Sequence, residues 1–346
     1  MLDSKGAVKS LDRKDMLGVI EAMPRHLADG VRRGRVAGPP RFAPRNVFVC
    51  GLGGSAIGGD LLCGWLSTCT DIPATVVRSY DVPAHASKDS LVIVASYSGN
   101  TEETISMYED ARRKGAKIVA IASGGLVAQM SEKYGVPFAR VPSGLVPRAS
   151  LGYVFGAMLG IVELSGLAES GKQLEEALRV LNDVIATSKP AVQTADNPAK
   201  KMAHQLFGHI PVVVGYTLSR PVAKRWANQI NENAKSMAFS SELPEMDHNE
   251  IVGWMKDPRS KGFSVVLLEH GQQTSAMSKR LIANSEMLSR AAPVHTVFAK
   301  GLSPLARMFS LVAMGDYVSV YLALLCEQDP STTEPIEELK AVLAKK

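Results

Sequence analysis

Cysteine is scarce in this chain of 346 residues. Four occur, at Cys50, Cys63, Cys69 and Cys326, and none stands at the C-x-x-C spacing of a metal or redox site. Reduced thiols and a cytoplasmic address are therefore expected. Residues 1–14 have no apolar core, so they do not read as a signal peptide. Long apolar runs are also lacking. The longest near the end, 310–326, is interrupted by Gly315 and Asp316 and is too short to span a bilayer, so a buried helix is expected there. There is no short-period repeat, no low-complexity tract and no G-x-x-x-x-G-K-[ST] phosphate loop. Charge of one sign is nearly absent as a signal. Lys and Arg number 39 against 34 Asp and Glu, an excess of +5 spread along the chain, which gives no footing to a nucleic-acid partner.

What remains is an ordinary globular composition, 46% apolar and 21% charged. A single core stops growing near about 250–300 residues, so this length favours two domains. Residues 1–40 read as an amphipathic helical arm, with Met16, Leu17, Ile20 and Leu27 at helical spacing, ending in Gly34, Gly38, Pro39 and Pro40. Short β-branched runs come next at 46–50 (NVFVC), 74–77 (ATVV), 91–95 (LVIVA), 117–122 (KIVAIA) and 138–141 (FARV), with helical or turn-rich segments between them. That alternation predicts a parallel sheet with helices on both faces. Residues 151–167 and 173–185 read as helices, and 188–198 as a connector. The pattern then restarts with strands at 211–215 (PVVVG), 237–240 (MAFS), 263–268 (FSVVLL) and 294–299 (VHTVFA), and a short helix is expected at 336–345.

Two loops carry chemistry. After the first strand comes CGLGGSAIGGD, 50–60, opening a helix. Glycines there expose N–H groups at the positive end of the helix, which suits a phosphate. The segment also matches the dinucleotide fingerprint through Gly51, Gly53 and Ala56, although the acidic residue that holds a ribose is replaced by Arg78 and Ser79. A tight ligand-free turn would look the same. After the third strand comes SYSGNTEET, 96–104, where Asn100 and Glu103 fit a capping box. Its hydroxyls exceed what a cap needs, and short hydroxyls with backbone N–H groups suit a phosphate monoester.

Farther on, 221–238 is expected to be one helix. Its apolar stripe is Val222, Ala223, Trp226, Ala227, Ile230 and Ala234. Glu232 lies off the stripe, among the amides Asn228, Gln229, Asn231 and Asn233. The loop ELPEMDHNE, 242–250, then gathers acids, an amide and His248. A solvated face and a surface histidine are the plain readings; a carboxylate base with an imidazole acid/base is the other.

SYSGNTEET resembles the phosphosugar-binding loop of sugar isomerase (SIS) domains, and GLGGSAIGGD its companion loop. NENAKSMAFSSELPEMDHNEIVGW, PRA at 147–149 and TEPIEELK at 333–340 resemble one branch, the bifunctional phosphoglucose/phosphomannose isomerases, so the resemblance covers nearly the whole chain. It implies an α/β fold of two SIS domains, each a parallel sheet flanked by helices in a flavodoxin-like three-layer sandwich. The corresponding division is an arm at 1–40, SIS domains at 41–168 and 201–326, a helical connector at 169–200 and a tail helix at 327–346. The extra residues at 34–44 are not explained by it.

The resemblance also implies roles. Gly53, Gly54, Ser55, Ser96, Ser98 and Thr101 would bind the substrate phosphate. Glu232 would shuttle the proton, Arg148 would stabilise an enediolate, and His248 and Lys340 would open the ring. Thr333 would line the sugar end. Neither metal nor cofactor is implied, nor a membrane partner. His248 would enter the neighbouring subunit's site, so a homodimer is expected. Three alternatives stand beside this reading. One is an NAD-dependent dehydrogenase resting on Gly51, Gly53 and Ala56. The second is a non-catalytic sugar-phosphate sensor, although the roughly 40 residues before Val47 are about half a DNA-binding module. The third is an amino-sugar or heptose phosphate isomerase.

Overall fold

The structure is a computed structural model that describes residues 1–38 and 41–343. Pro39 and Pro40, at the end of the expected arm, and Ala344 and Lys345, at the end of the expected tail helix, lie outside the described residues.

The chain separates into two compact units, one comprising 22–182 with 301–309, the other 1–21, 183–300 and 310–346. In the first unit, α3 (Met23–Val36) precedes β1 (Asn46–Cys50), α4 (Gly53–Leu66), β2 (Ala74–Val77), β3 (Ser90–Ala95), α5 (Glu102–Arg113), β4 (Lys117–Ala122), α6 (Gly125–Tyr134), β5 (Phe138–Arg140) and α7 (Leu151–Leu164). In the second, α1 (Lys5–Leu11) and α2 (Met16–Glu21) join α9 (Pro198–Leu206), β6 (Ile210–Gly215), α10 (Arg220–Gln229), β7 (Phe239–Glu242), α11 (Glu250–Lys256), β8 (Phe263–Glu269), α12 (Ser275–Leu288), β9 (Val294–Phe298) and α14 (Glu334–Leu343). The division falls within α8 (Gly171–Ser188) and α13 (Pro304–Leu325).

Both sheets are parallel. The first has the order β2-β1-β3-β4-β5 and the second β7-β6-β8-β9, so each reverses direction beside its own first strand. The first order is that of flavodoxin-like folds, in which ligands bind at the reversal, outside the carboxyl ends of the strands. Register sets the loops accordingly. Cys50 pairs with Val77 on one side and Val94 on the other, which brings the segments after β1 and β3 out side by side. All six residues of β3 are buried, as expected of a strand with helices on both faces.

The expected helical arm consists of three helices. Asp15, with a positive φ, separates α1 from α2, and Pro24 starts a new helix in its first turn. In the first unit α3 packs closely on α7. A Cβ at Gly30 would lie 2.5 Å from the Tyr153 carbonyl oxygen, and one at Gly156 would lie 2.4 Å from that of Leu27. Glycines four apart on both helices, Gly30 and Gly34 against Gly152, Gly156 and Gly160, make that approach possible.

The apolar run at 310–326 forms the larger part of α13, which extends upstream to Pro304. At 22 residues its length and composition would allow it to cross a membrane, so brevity does not set it apart. Burial does: 89% of its most apolar window is enclosed by the protein.

Candidate functional site

The first glycine loop delivers α4 with its N-terminus uncapped. Leu52 occupies the cap position and no side chain accepts from the first turn. Orphan N–H groups there are available to an anion. Gly53 adopts φ +51°, the left-handed region that favours glycine, and is exposed. Gly54 is a glycine for a different reason. A Cβ on it would meet the Pro147 carbonyl oxygen at 2.7 Å and the Arg148 Cα at 3.2 Å. Those residues form the 3-10 turn 147–150 that leads into α7, and the Arg148 side chain is buried. The loop and this guanidinium-bearing turn are thus in contact.

The hydroxyl loop is held by its own hydrogen bonds. Ser96 Oγ donates to Thr101 Oγ1 at 3.0 Å and accepts from the Gly99 N–H at 3.1 Å. Ser98 Oγ is on an exposed residue and accepts from the Asn100 N–H at 3.3 Å. Ser55, from the first loop, accepts from the Tyr97 N–H at 3.3 Å, which ties the two loops together. The Tyr97 hydroxyl donates to the Pro142 carbonyl at 2.9 Å and accepts from the Leu145 N–H at 3.0 Å, fixing the segment that leads to Arg148. The residues read as phosphate ligands, Gly53, Gly54, Ser55, Ser96, Ser98 and Thr101, therefore lie on two adjoining loops, with Arg148 joined to them through Gly54.

The expected capping box is not formed. Thr101 is the cap residue of α5 and makes no side-chain cap. Asn100 Oδ1 instead accepts from the Leu126 N–H at 2.9 Å, at the start of α6. Asn100 thus holds two loops together, a contact across 26 residues that a local motif does not reveal. The strand-end position after β2 is Arg78, ion-paired with Asp60. The acid that the dinucleotide fingerprint uses for a ribose is thereby replaced by a cation.

In the second unit the expected continuous helix is shorter and changes pitch. After α10 the chain forms a π-turn, Ile230–Ala234, that ends at Lys235 in the left-handed region. Glu232, half-buried, sits within this turn. Single π-turns inside helices are rare and recur at functional sites. Arg220 and Lys224 of α10 are exposed, but the side that carries Arg225 and Gln229 is buried. Arg225 forms a bidentate ion pair with Asp316 of α13, at 2.9 and 2.7 Å, with both side chains 2% exposed. Gln229 Nε2 donates to the same carboxylate at 3.1 Å, and Asn233 Nδ2 to Ser319 Oγ at 2.9 Å. Burial nonetheless pushes the Asp316 carboxyl upward, against the pull of Arg225.

The remaining candidates lie in the same unit. His248 is exposed, at the end of a 3-10 turn 245–248 whose Asp247 pairs with Arg280. Thr333 is half-buried just before α14, and Lys340 is exposed on α14. The second sheet's own reversal is filled by its side chains. Tyr216 packs its ring on His270 at 4.3 Å, and Thr217 Oγ1 lies 2.8 Å from His270 Nε2. Glycines and hydroxyls occur there too, but Ser219 Oγ donates to the Leu268 carbonyl at 2.9 Å and Thr274 caps α12, accepting from the Met277 N–H.

Two parallel sheets flanked by helices, with a family match on each, make this a double SIS-domain protein of the sugar-isomerase class. The SIS domain family matches residues 42–131, and the bacterial phospho-glucose isomerase C-terminal SIS domain matches 195–343. Among solved structures, a hypothetical protein from Thermus thermophilus shares the fold at TM-score 0.73 and 17% identity, covering 99% of this chain and 94% of its own. A bifunctional phosphoglucose/phosphomannose isomerase from Caldicellulosiruptor bescii is 41% identical over 302 residues, 86% of this chain and 89% of the relative. One from Aquifex aeolicus is 34% identical over 87% and 91%. The chain belongs to the bifunctional phosphoglucose/phosphomannose isomerase family.

Proposed function

We propose that the chain interconverts glucose 6-phosphate and mannose 6-phosphate with fructose 6-phosphate through a cis-enediolate. The observation that carries this reading is the contact at Gly54, which joins the phosphate cradle to the buried Arg148 turn. The cradle binds the phosphate through the N–H groups at the start of α4 and the hydroxyls of Ser55, Ser96, Ser98 and Thr101. That binding, remote from the reacting carbons, orients C1 and C2. Glu232 takes the proton from one carbon of the open-chain sugar and returns it to the other on the same face. Arg148 meets the charge that develops on the enediolate oxygens, a role for a fixed, always-charged fork. His248 and Lys340 move protons at O5 and O1 to open the ring. Thr333 lines the end where the C2 epimers differ. The charge is met by side chains, so no metal enters these steps. The acting species is a homodimer in which His248 serves the neighbouring subunit's site.

A coupled assay on fructose 6-phosphate and mannose 6-phosphate, with chelator-treated protein, tests the reading. Turnover of both is expected. Glu232→Gln should lower kcat by about 100-fold or more while sugar-phosphate affinity survives. Turnover retained by that variant reassigns the base, and no turnover of either sugar by the parent protein removes the activity.

A further inference from the structure

The residue that closes the base-bearing π-turn is a lysine in a backbone conformation that favours glycine or asparagine. Lys235 has φ +53°. Its ammonium donates to three backbone carbonyls: Glu232 and Asn233 at 3.1 Å each, and Asp329 at 2.5 Å. The first two belong to the C-terminal end of the turn, where the helix dipole favours a cation. The third lies 94 residues away in sequence. Asp329 in turn organises the start of the tail. Its Oδ1 accepts from the Ser331 N–H at 2.8 Å and from Ser331 Oγ at 2.6 Å. Two residues later the Thr333 carbonyl accepts from the Ile336 and Glu337 N–H groups at the opening of α14, which carries Lys340. One ammonium thus connects the turn holding Glu232 to the segment that leads into Thr333 and Lys340.

We infer that Lys235 is a positioning residue for the isomerisation, clamping the proton-shuttling carboxylate to the tail that supplies the sugar-end and ring-opening groups. The inference rests on the roles proposed above for Glu232, Thr333 and Lys340. The clamp acts through main-chain atoms at both ends, so it sets where these groups stand without touching substrate. It also accounts for a lysine at a position where backbone shape alone favours a smaller residue.

Lys235→Asn separates the two demands, because asparagine accepts the left-handed backbone and lacks the ammonium. With kcat so dependent on placement, a fall of about tenfold or more is expected, with KM for fructose 6-phosphate within about twofold. Hydrogen exchange monitored by mass spectrometry should show faster deuterium uptake confined to residues 230–235 and 329–343. Lys235→Gln, read in parallel, should behave alike and keeps the test standing if one variant misfolds. Unchanged kcat with unchanged tail exchange overturns the clamp. So does a loss of protection spread through the whole chain, which makes Lys235 merely structural. Exchange is read without turnover, so the clamp is still tested if Glu232→Gln proves active and the base assignment falls.

Discussion

Gly54 shows how a single residue joins two distant parts of the chain. Its neighbours in sequence mark it as part of a glycine-rich loop that opens a helix, and that much is legible from glycine content and the helix just after it. The reason for a glycine at 54 is not local. It is the approach of Pro147 and Arg148, nearly a hundred residues away, to the point where a Cβ would stand. Gly54→Ala is therefore expected to leave the backbone conformation of 54 acceptable, since its φ is not positive, while pushing the Arg148 turn aside. A displacement of that kind costs about 100-fold in kcat/KM. Steady-state kinetics check it, and a variant with parental kcat/KM would mean that the turn yields without moving the guanidinium. Asn100 makes the converse point. Its sequence context fits a helix cap, but its side chain serves another loop, and only the tertiary neighbour Leu126 decides between the two.

Among the elements, the clearest gain over the sequence concerns α10 and the π-turn after it. An apolar stripe and a polar face were both readable. That Arg225, Gln229 and Asn233 are buried was not, because their partners stand on α13. Asp316, which interrupts the apolar run, is the matching signal: a lone acid in a buried helix requires a cation, and Arg225 supplies it. Asp316→Asn should cost about 3–5 kcal/mol, since it removes the carboxylate charge that faces the buried guanidinium. Arg225→Met combined with Asp316→Leu should recover most of that. Urea midpoints compare the three proteins, and equal loss in the single and double variants would show that the pair is not the source. The contact of α3 with α7 was legible in principle, as glycines four apart on both helices, yet the matching faces are more than a hundred residues apart in sequence. It also buries His26, stacked on Tyr153 at 4.3 Å. Burial first, and the neighbouring Arg25 second, lower the His26 pKa below its ordinary 6.5. The unfolded chain then binds the proton more readily than the folded one, so stability is full above that ordinary value and is lost as pH falls below it. The urea midpoint should drop between pH 7.5 and 5.5, and His26→Gln should flatten that dependence. An unchanged slope in the variant would assign the acid sensitivity to other groups.

For the whole molecule, the sequence revealed two α/β repeats because each strand is a short β-branched run ending at a turn. It did not reveal where each unit takes its helices, since that depends on contacts between distant segments. The same limit applies to assembly. His248 is exposed, and its proposed role in the neighbouring subunit's site makes a testable demand on the dimer. If each site takes Glu232 from one subunit and His248 from the other, two inactive variants must complement. In a hybrid of Glu232→Gln with His248→Ala, one site receives both lesions and the other receives neither. Random reassortment of equal amounts makes about half of the dimers hybrids, each with one intact site of two, so about a quarter of parental activity should return. Each variant alone should stay inactive. The measurement is isomerase activity after the two proteins are unfolded, mixed and refolded together, with separately refolded proteins mixed afterwards as the control. If both residues instead serve the same subunit's site, every site in every hybrid carries one lesion, and no activity returns however completely the subunits exchange.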